Sequence, residues 1–260
     1  MKNLIAIEWM KLRRLVTMKV ILIIYAITIP ILYYCVSFIK FGPFSTPDWV
    51  YQFPDCYTYV AYIASYFNLL IGVIIMVFTS NEIKYKTQRQ NVIDGLSKRD
   101  MIFAKFALVL IFSIIVTLYV ALVGMIFGLI YSDDLSQIFS GLEQIGVYFI
   151  SVLGYFSFAF FFASLVRMQA LAIILYIFST LIEGLIGLAI PKGISQFFPL
   201  TTFANLVPDP FRKLFAPLME NQPPIPDQFI LGQGWSIVFA FFYIFCFVFI
   251  SYWVIKKRDI

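Results

Sequence analysis

Long apolar runs alternate with short polar segments along the whole chain. Six of these runs are about 20 residues or longer, the length that an α-helix needs to cross a bilayer. The alternating polarity of membrane-barrel strands does not occur. We therefore predict one all-α integral membrane domain over residues 1–260. Its six transmembrane helices are expected at residues 20–39, 57–79, 101–131, 145–166, 170–190 and 235–255.

The most polar stretch, residues 80–105, lies between the second and third apolar runs. It carries six basic and three acidic side chains. A Lys or Asp costs about 2.5 kcal/mol or more at the centre of a bilayer, so this stretch must lie in water. Gly95 is typical of a helix end, and Ser97 followed by Asp100 is typical of a helix start. We predict a rigid helical segment over residues 80–100; the alternative is a solvated charge run that only anchors topology.

Residues 1–18 have the pattern of an amphipathic helix in the membrane interface. Lys11 and Arg14 fall well away from the apolar stripe of this helix. The stripe consists of Ile5, Trp9, Leu12 and Val16. The alternative is an ordinary charged N-terminus before a membrane helix.

The longest predicted connection, residues 191–234, is rich in proline but too apolar for a free loop. We expect short helices there, which lie on the outer leaflet or dip into it. Such breaks in regular structure survive at membrane depth only when they pack against protein or line a hydrated cavity.

Charge placement predicts the orientation of the chain. The net charge is +5, and the spans place 15 of the 19 Lys and Arg residues on one side. Basic residues collect on the cytoplasmic side of membrane proteins, so both termini and residues 80–105 are expected there. No extended basic face remains for nucleic acid. Histidine is absent, and three scattered cysteines indicate neither a disulfide framework nor a metal site.

Two polar residues stand out within the apolar runs. Asn68 is the only amide of the second run, and Glu183 is the one acid deep inside a run. Polar groups at membrane depth often line a substrate path, and both residues are candidates for one. For Glu183 the alternative is an acid near the outer end of its span that bonds to a neighbouring span or to water.

These motifs resemble the permease subunits of ABC-2 type ABC transporters. Such subunits begin with an interfacial elbow helix in which an acid precedes basic residues. Here that pattern is matched by Glu8 followed by Lys11, Arg13 and Arg14, and Trp9 belongs to the same elbow helix. The loop between their second and third spans has a further pattern of acid, Thr, base, apolar residue, Gly, Ser, Arg and Lys. Here it is matched by Glu82, Thr87, Arg89, Ile93, Gly95, Ser97, Arg99 and Lys105.

The resemblance implies a function as well as a fold. Two permeases, of like or unlike chains, would sit in the bacterial cytoplasmic (inner) membrane and export an amphipathic peptide, lipid or drug. Two copies of a separate ATPase subunit would bind ATP and magnesium, because this chain has no GxxxxGK loop. Residues 80–100 would be the coupling segment that docks on the ATPase. Its contact residues would be Tyr85, Thr87, Arg89, Gln90, Asn91 and Ile93, and its structural residues Glu82, Gly95, Ser97, Arg99 and Lys105. Lys86 replaces the Gly that usually precedes the loop Thr, which leaves the subfamily and the cargo open.

Other function classes compete with this interpretation. An intramembrane hydrolase is disfavoured because histidine and the HExxH and GxSxG motifs are absent. The main alternative is a secondary transporter or channel driven by an ion gradient. Such a protein would require several ionisable groups at mid-membrane. Glu183 is the one candidate of that kind. A membrane scaffold without transport activity is a third alternative.

Overall fold

The architecture is all-helical apart from one very short hairpin. The structure, a computed structural model, describes residues 2–38, 40–41, 44–45, 48–84, 97–166, 168–210 and 231–257. Strands β1 (Lys40–Phe41) and β2 (Phe44–Ser45) pair antiparallel. The α-helices of the described residues are α1 (Lys2–Arg14), α2 (Val16–Cys35), α3 (Asp55–Ser65), α4 (Asn68–Lys84), α5 (Lys98–Tyr131), α6 (Leu142–Leu165), α7 (Gln169–Ala189), α8 (Lys192–Ser195), α9 (Pro199–Asn205) and α10 (Gln233–Lys257).

Five of these helices, α2, α5, α6, α7 and α10, are long and apolar enough to cross a membrane. The predicted second span is not one straight helix, because α3 and α4 meet at a bend of 53°. The pair counts as a sixth crossing only if the two helices act as one broken span. No proline or glycine stands at the bend. Instead, the Ser65 hydroxyl donates to the carbonyl of Tyr62, a side-chain bond of the kind that competes with helix hydrogen bonds and bends helices.

The N-terminal helix is shorter than predicted. Leu15 is extended (φ −68°, ψ 120°), so α1 ends at Arg14 and α2 begins at once. Leu12 of the predicted apolar stripe is fully buried, and Trp9 packs against the core. The placement of Val16 on that stripe is wrong, because the helix breaks at Leu15 and Val16 begins α2. Its orientation is set by the break at Leu15.

The core is built around α6, which packs against α4, α5 and α10. All ten residues from 151 to 160 are buried. Gly154 admits the ring of Phe203 from α9, since a Cβ there would lie 2.5 Å from two ring carbons. By contrast, α7 buries only Ala172 and Tyr176 of its side chains and presents the rest of its apolar surface outward.

The segments outside the membrane helices are tied back onto them. Tyr33 of α2 donates its hydroxyl to the carbonyl of Val50, and Tyr51 donates its hydroxyl to the carbonyl of Tyr33. The predicted short helices in residues 191–234 are found as α8 and α9; residues 211–230 lie outside the described part. At the start of α5, Ser97 accepts the amide of Asp100 at 3.0 Å, which confirms the predicted helix cap.

Candidate functional site

A buried ion pair joins the N-terminal helix to the start of the longest helix. The carboxylate of Glu8 in α1 accepts Lys11 Nζ at 2.7 Å through Oε1, and its Oε2 lies 3.6 Å from Lys105 Nζ in α5. Glu8 is 5% exposed and Lys105 is 3% exposed, whereas Lys11 is half-exposed. We call Glu8, Lys11, Lys105 and the neighbouring Phe78 the α1–α5 junction.

Phe78 brings a third helix, α4, into the α1–α5 junction. Its ring centroid lies 4.9 Å from Lys105 Nζ, within the range of a cation–π interaction. Removing two charges from water is costly, and only close opposite charges with good geometry offset that cost. The junction therefore brings α1, α4 and α5 together around one buried contact between a carboxylate and an ammonium group.

The junction lies beside the two ends of the predicted coupling segment. Helix α4 carries the chain into that segment, and α5 receives it from Ser97 onward. Lys105 comes two turns after the Ser97 cap, and Arg99 packs over the ring of Phe103 at 5.5 Å. Glu82 belongs to α4, but its side chain is outside the described part of the structure. So are the predicted contact residues and the predicted helix stop, namely Tyr85, Thr87, Arg89, Gln90, Asn91, Ile93 and Gly95.

The C-terminal helix ends against the same region. Lys98 Nζ at the start of α5 lies 3.4 Å from the carbonyl of Lys256 at the end of α10. Lys256 and Lys257 stack over the rings of Tyr252 and Trp253 at 5.7 and 3.8 Å. Cations of α5 and α10 are therefore brought together at one end of the bundle.

Asn68, a predicted substrate-path residue, sits in a buried hydrogen-bond network at the bend between α3 and α4. Tyr148 of α6 donates its hydroxyl to Asn68 Oδ1 at 2.9 Å, and Tyr25 of α2 lies 3.1 Å from the Tyr148 oxygen. Because Tyr148 uses its only hydroxyl proton on Asn68, Tyr25 acts as the donor to Tyr148. The network links three helices, and Asn68 itself is fully buried.

Glu183, the other predicted substrate-path residue, binds the start of a short helix. Its carboxylate accepts the backbone amides of Leu200 at 3.2 Å and of Thr201 at 2.5 Å. These amides belong to the first turn of α9, where backbone donors lack partners within the helix. Glu183 thus fastens α9 to α7. As in the alternative, the acid bonds to a neighbouring part of the protein, but its partners are backbone amides of a short helix and not side chains of a neighbouring span. A role in transport stays a prediction.

Sequence reasoning missed three members of these arrangements. Phe78, Tyr25 and Tyr148 are aromatic residues within apolar runs, and nothing local distinguishes them from lipid-facing rings. For the two tyrosines the one usable signal is the phenolic hydroxyl, because a buried Tyr usually finds a hydrogen-bond partner; for Phe78 there is no such signal. Among the described residues, no three side chains of metal-ligating type come together.

Comparison with known proteins gives a family. The sequence profile of the family described as "Protein of unknown function (DUF2705)" matches residues 14–260. The chain belongs to the DUF2705 family. No curated protein matches the sequence significantly.

Proposed function

We propose that this DUF2705 protein is the membrane-spanning permease subunit of an ATP-driven exporter of the ABC-2 type. A separate ATPase subunit hydrolyses ATP, and the permease moves an amphipathic substrate outward. The chain itself is not an enzyme in this account and binds no nucleotide. The proposal starts from the motif resemblance, and the geometry of the α1–α5 junction supports it.

The supporting observation is the buried pairing of Glu8 with Lys105. The resemblance assigns these two residues to different parts, Glu8 to the elbow helix and Lys105 to the end of the coupling segment. A coupling segment needs a stiff attachment, because a loosely held segment cannot transmit a displacement. The junction supplies such an attachment to α1 and, through Phe78, to α4.

The proposed mechanism follows from these attachments. ATP binding closes the two ATPase subunits, and residues 85–96 docked on them move as well. The Ser97 cap makes α5 rigid from its first turn, so the displacement enters α5 directly. The Glu8–Lys105 pair passes it to α1, which leads into α2 after the single extended residue Leu15. Helices at the interface of the permease dimer then shift and release the substrate outward.

The distribution of basic residues supports a cytoplasmic place for this machinery. The last turn of α1 contains Lys11, Arg13 and Arg14, and the bundle end formed by α5 and α10 holds Lys98, Lys256 and Lys257. A membrane protein with this bias keeps these ends in the cytoplasm, where an ATPase subunit is available.

Copurification tests the proposal. The full chain is extracted from its native membrane in mild detergent, and magnesium-dependent ATP hydrolysis is measured in the purified material. We expect an ATPase polypeptide to copurify with the wild type and to be lost from the Arg89→Ala/Ile93→Ala variant. A Phe139→Ala variant, in the exposed loop between α5 and α6, is the control that should keep it. A purified chain that lacks any ATPase, yet transports in response to an ion gradient, would establish the secondary-transporter alternative instead.

A further inference from the structure

A basic groove lies where the first two helices meet. It has a volume of about 380 Å³ and is lined by Met10, Arg13 and Arg14 of α1 and by Lys19 of α2. All three cationic side chains are exposed. The described lining contains no carboxylate, so the charge of the groove is not neutralised from within its own wall. The groove therefore presents three cationic side chains to an anionic ligand.

The surface beside the groove is apolar and continues along α2. Val16, Val20, Ile23 and Ile27 are 72%, 48%, 59% and 56% exposed, and their spacing places them on one stripe of the helix. Lys19 follows Val16 by three residues and precedes Ile23 by four, so it borders this stripe. The cationic groove is thus continuous with the exposed apolar stripe of α2.

The two features together match one class of ligand. Arginine guanidinium groups bind phosphate oxygens through paired hydrogen bonds, and lysine adds a point charge. Basic pockets at the cytoplasmic ends of membrane helices suit anionic lipid headgroups. A free phosphate would use the cations but not the apolar stripe, whereas a phospholipid would use both. We propose that the groove is a binding site for an anionic phospholipid, whose phosphate contacts Arg13, Arg14 and Lys19 and whose acyl chains lie along α2.

The site is independent of the proposed transport function, because it requires neither an ATPase nor a transported substrate. The helix break at Leu15 lies between α1 and α2, the two helices that form the site. A lipid held by both α1 and α2 would fix the angle between an interfacial helix and the membrane span that follows.

Native mass spectrometry of the full-length protein tests the site. Dioleoyl phosphatidylglycerol is titrated into detergent-solubilised protein, with dioleoyl phosphatidylcholine as the neutral lipid. The site variant is Arg13→Gln/Arg14→Gln/Lys19→Gln. The matched control is Lys98→Gln/Lys256→Gln/Lys257→Gln, which removes the same charge at the end of the bundle formed by α5 and α10. Because one basic residue contributes about fivefold to anionic-lipid binding, we expect the site variant to lose well over tenfold in affinity and the control to change little.

Three outcomes would overturn the proposal. Equal losses in the two triple variants would mean that the lipid responds only to net charge. Equal retention of both lipids by the wild type would mean adventitious binding. Displacement of the lipid by inorganic phosphate in excess would indicate a site for the free anion. If the triple variant does not fold, Arg14→Gln alone replaces it, with an expected loss of about fivefold.

Discussion

Glu8 and Lys105 meet in the protein interior at 3.6 Å, although one lies in the first helix and the other near the start of α5. Both side chains are almost completely buried. The pair fixes the position of α1 against the helix that follows the predicted coupling segment. A contact of this kind has measurable consequences for stability, because breaking a buried ion pair by removing one partner is costly.

The first prediction concerns the charge of Glu8. Glu8→Gln should lower the free energy of unfolding by about 3 kcal/mol, since it breaks the buried ion pair with Lys105. Lys11→Gln is the matched control, because Lys11 also binds Glu8 but is half-exposed, and it should cost less than about 1 kcal/mol. Unfolding by SDS titration in mixed micelles gives both values. Equal losses in the two variants would show that the buried pair contributes no more to stability than the half-exposed one.

The second prediction concerns the network at Asn68. Tyr148→Phe removes the donor to Asn68 and should lower the free energy of unfolding by about 1–3 kcal/mol, because a buried acceptor is left unsatisfied. Tyr25→Phe is the control. It leaves the bond between Tyr148 and Asn68 intact and should cost less. The same SDS titration ranks the two variants, and a larger loss for Tyr25→Phe would reverse our assignment of donors.

The sequence predicts those structural features that are determined by residues close together in the chain. The helix start at Ser97 was found because its capping residues lie within one turn, and the apolar runs gave the long helices. The bend after Ser65 was missed because neither proline nor glycine marks it. The break at Leu15 was missed because leucine is a good helix former. Phe78 and Tyr148 acquire their roles only through packing between distant helices, which periodicity within one segment does not encode.

The third prediction concerns the packing of α9 against α6. Gly154→Ala places a methyl group against the buried ring of Phe203, and such overpacking should cost about 1–3 kcal/mol of unfolding free energy. Gly146→Ala in the same helix is the control. Its new methyl group meets no atom within 4 Å, and the better helix propensity of alanine should stabilise the protein by up to about 1 kcal/mol. Similar effects at both glycines would contradict the close α6–α9 contact.

The fourth prediction separates structure from transport at Glu183. Glu183→Ala removes the acceptor for the first turn of α9 and should cost about 1–2 kcal/mol, as loss of a helix cap does. Glu183→Gln retains one carbonyl acceptor and should cost less. Thr180→Ala, whose hydroxyl donates only within α7, is the control. If Glu183→Gln kept full stability yet abolished ATP-driven transport, Glu183 would belong to the substrate path.

Site-specific photo-crosslinking tests whether the segment between α4 and α5 docks on an ATPase subunit. A photoreactive amino acid replaces Ile93 of the predicted coupling segment or, as a control, Phe139 of the loop between α5 and α6, which is 78% exposed. Crosslinks are formed in intact native membranes and probed for a polypeptide that binds an ATP analogue. We expect a crosslinked ATP-binding polypeptide from position 93 and none from position 139. An ATP-binding partner at both positions or at neither would contradict this docking.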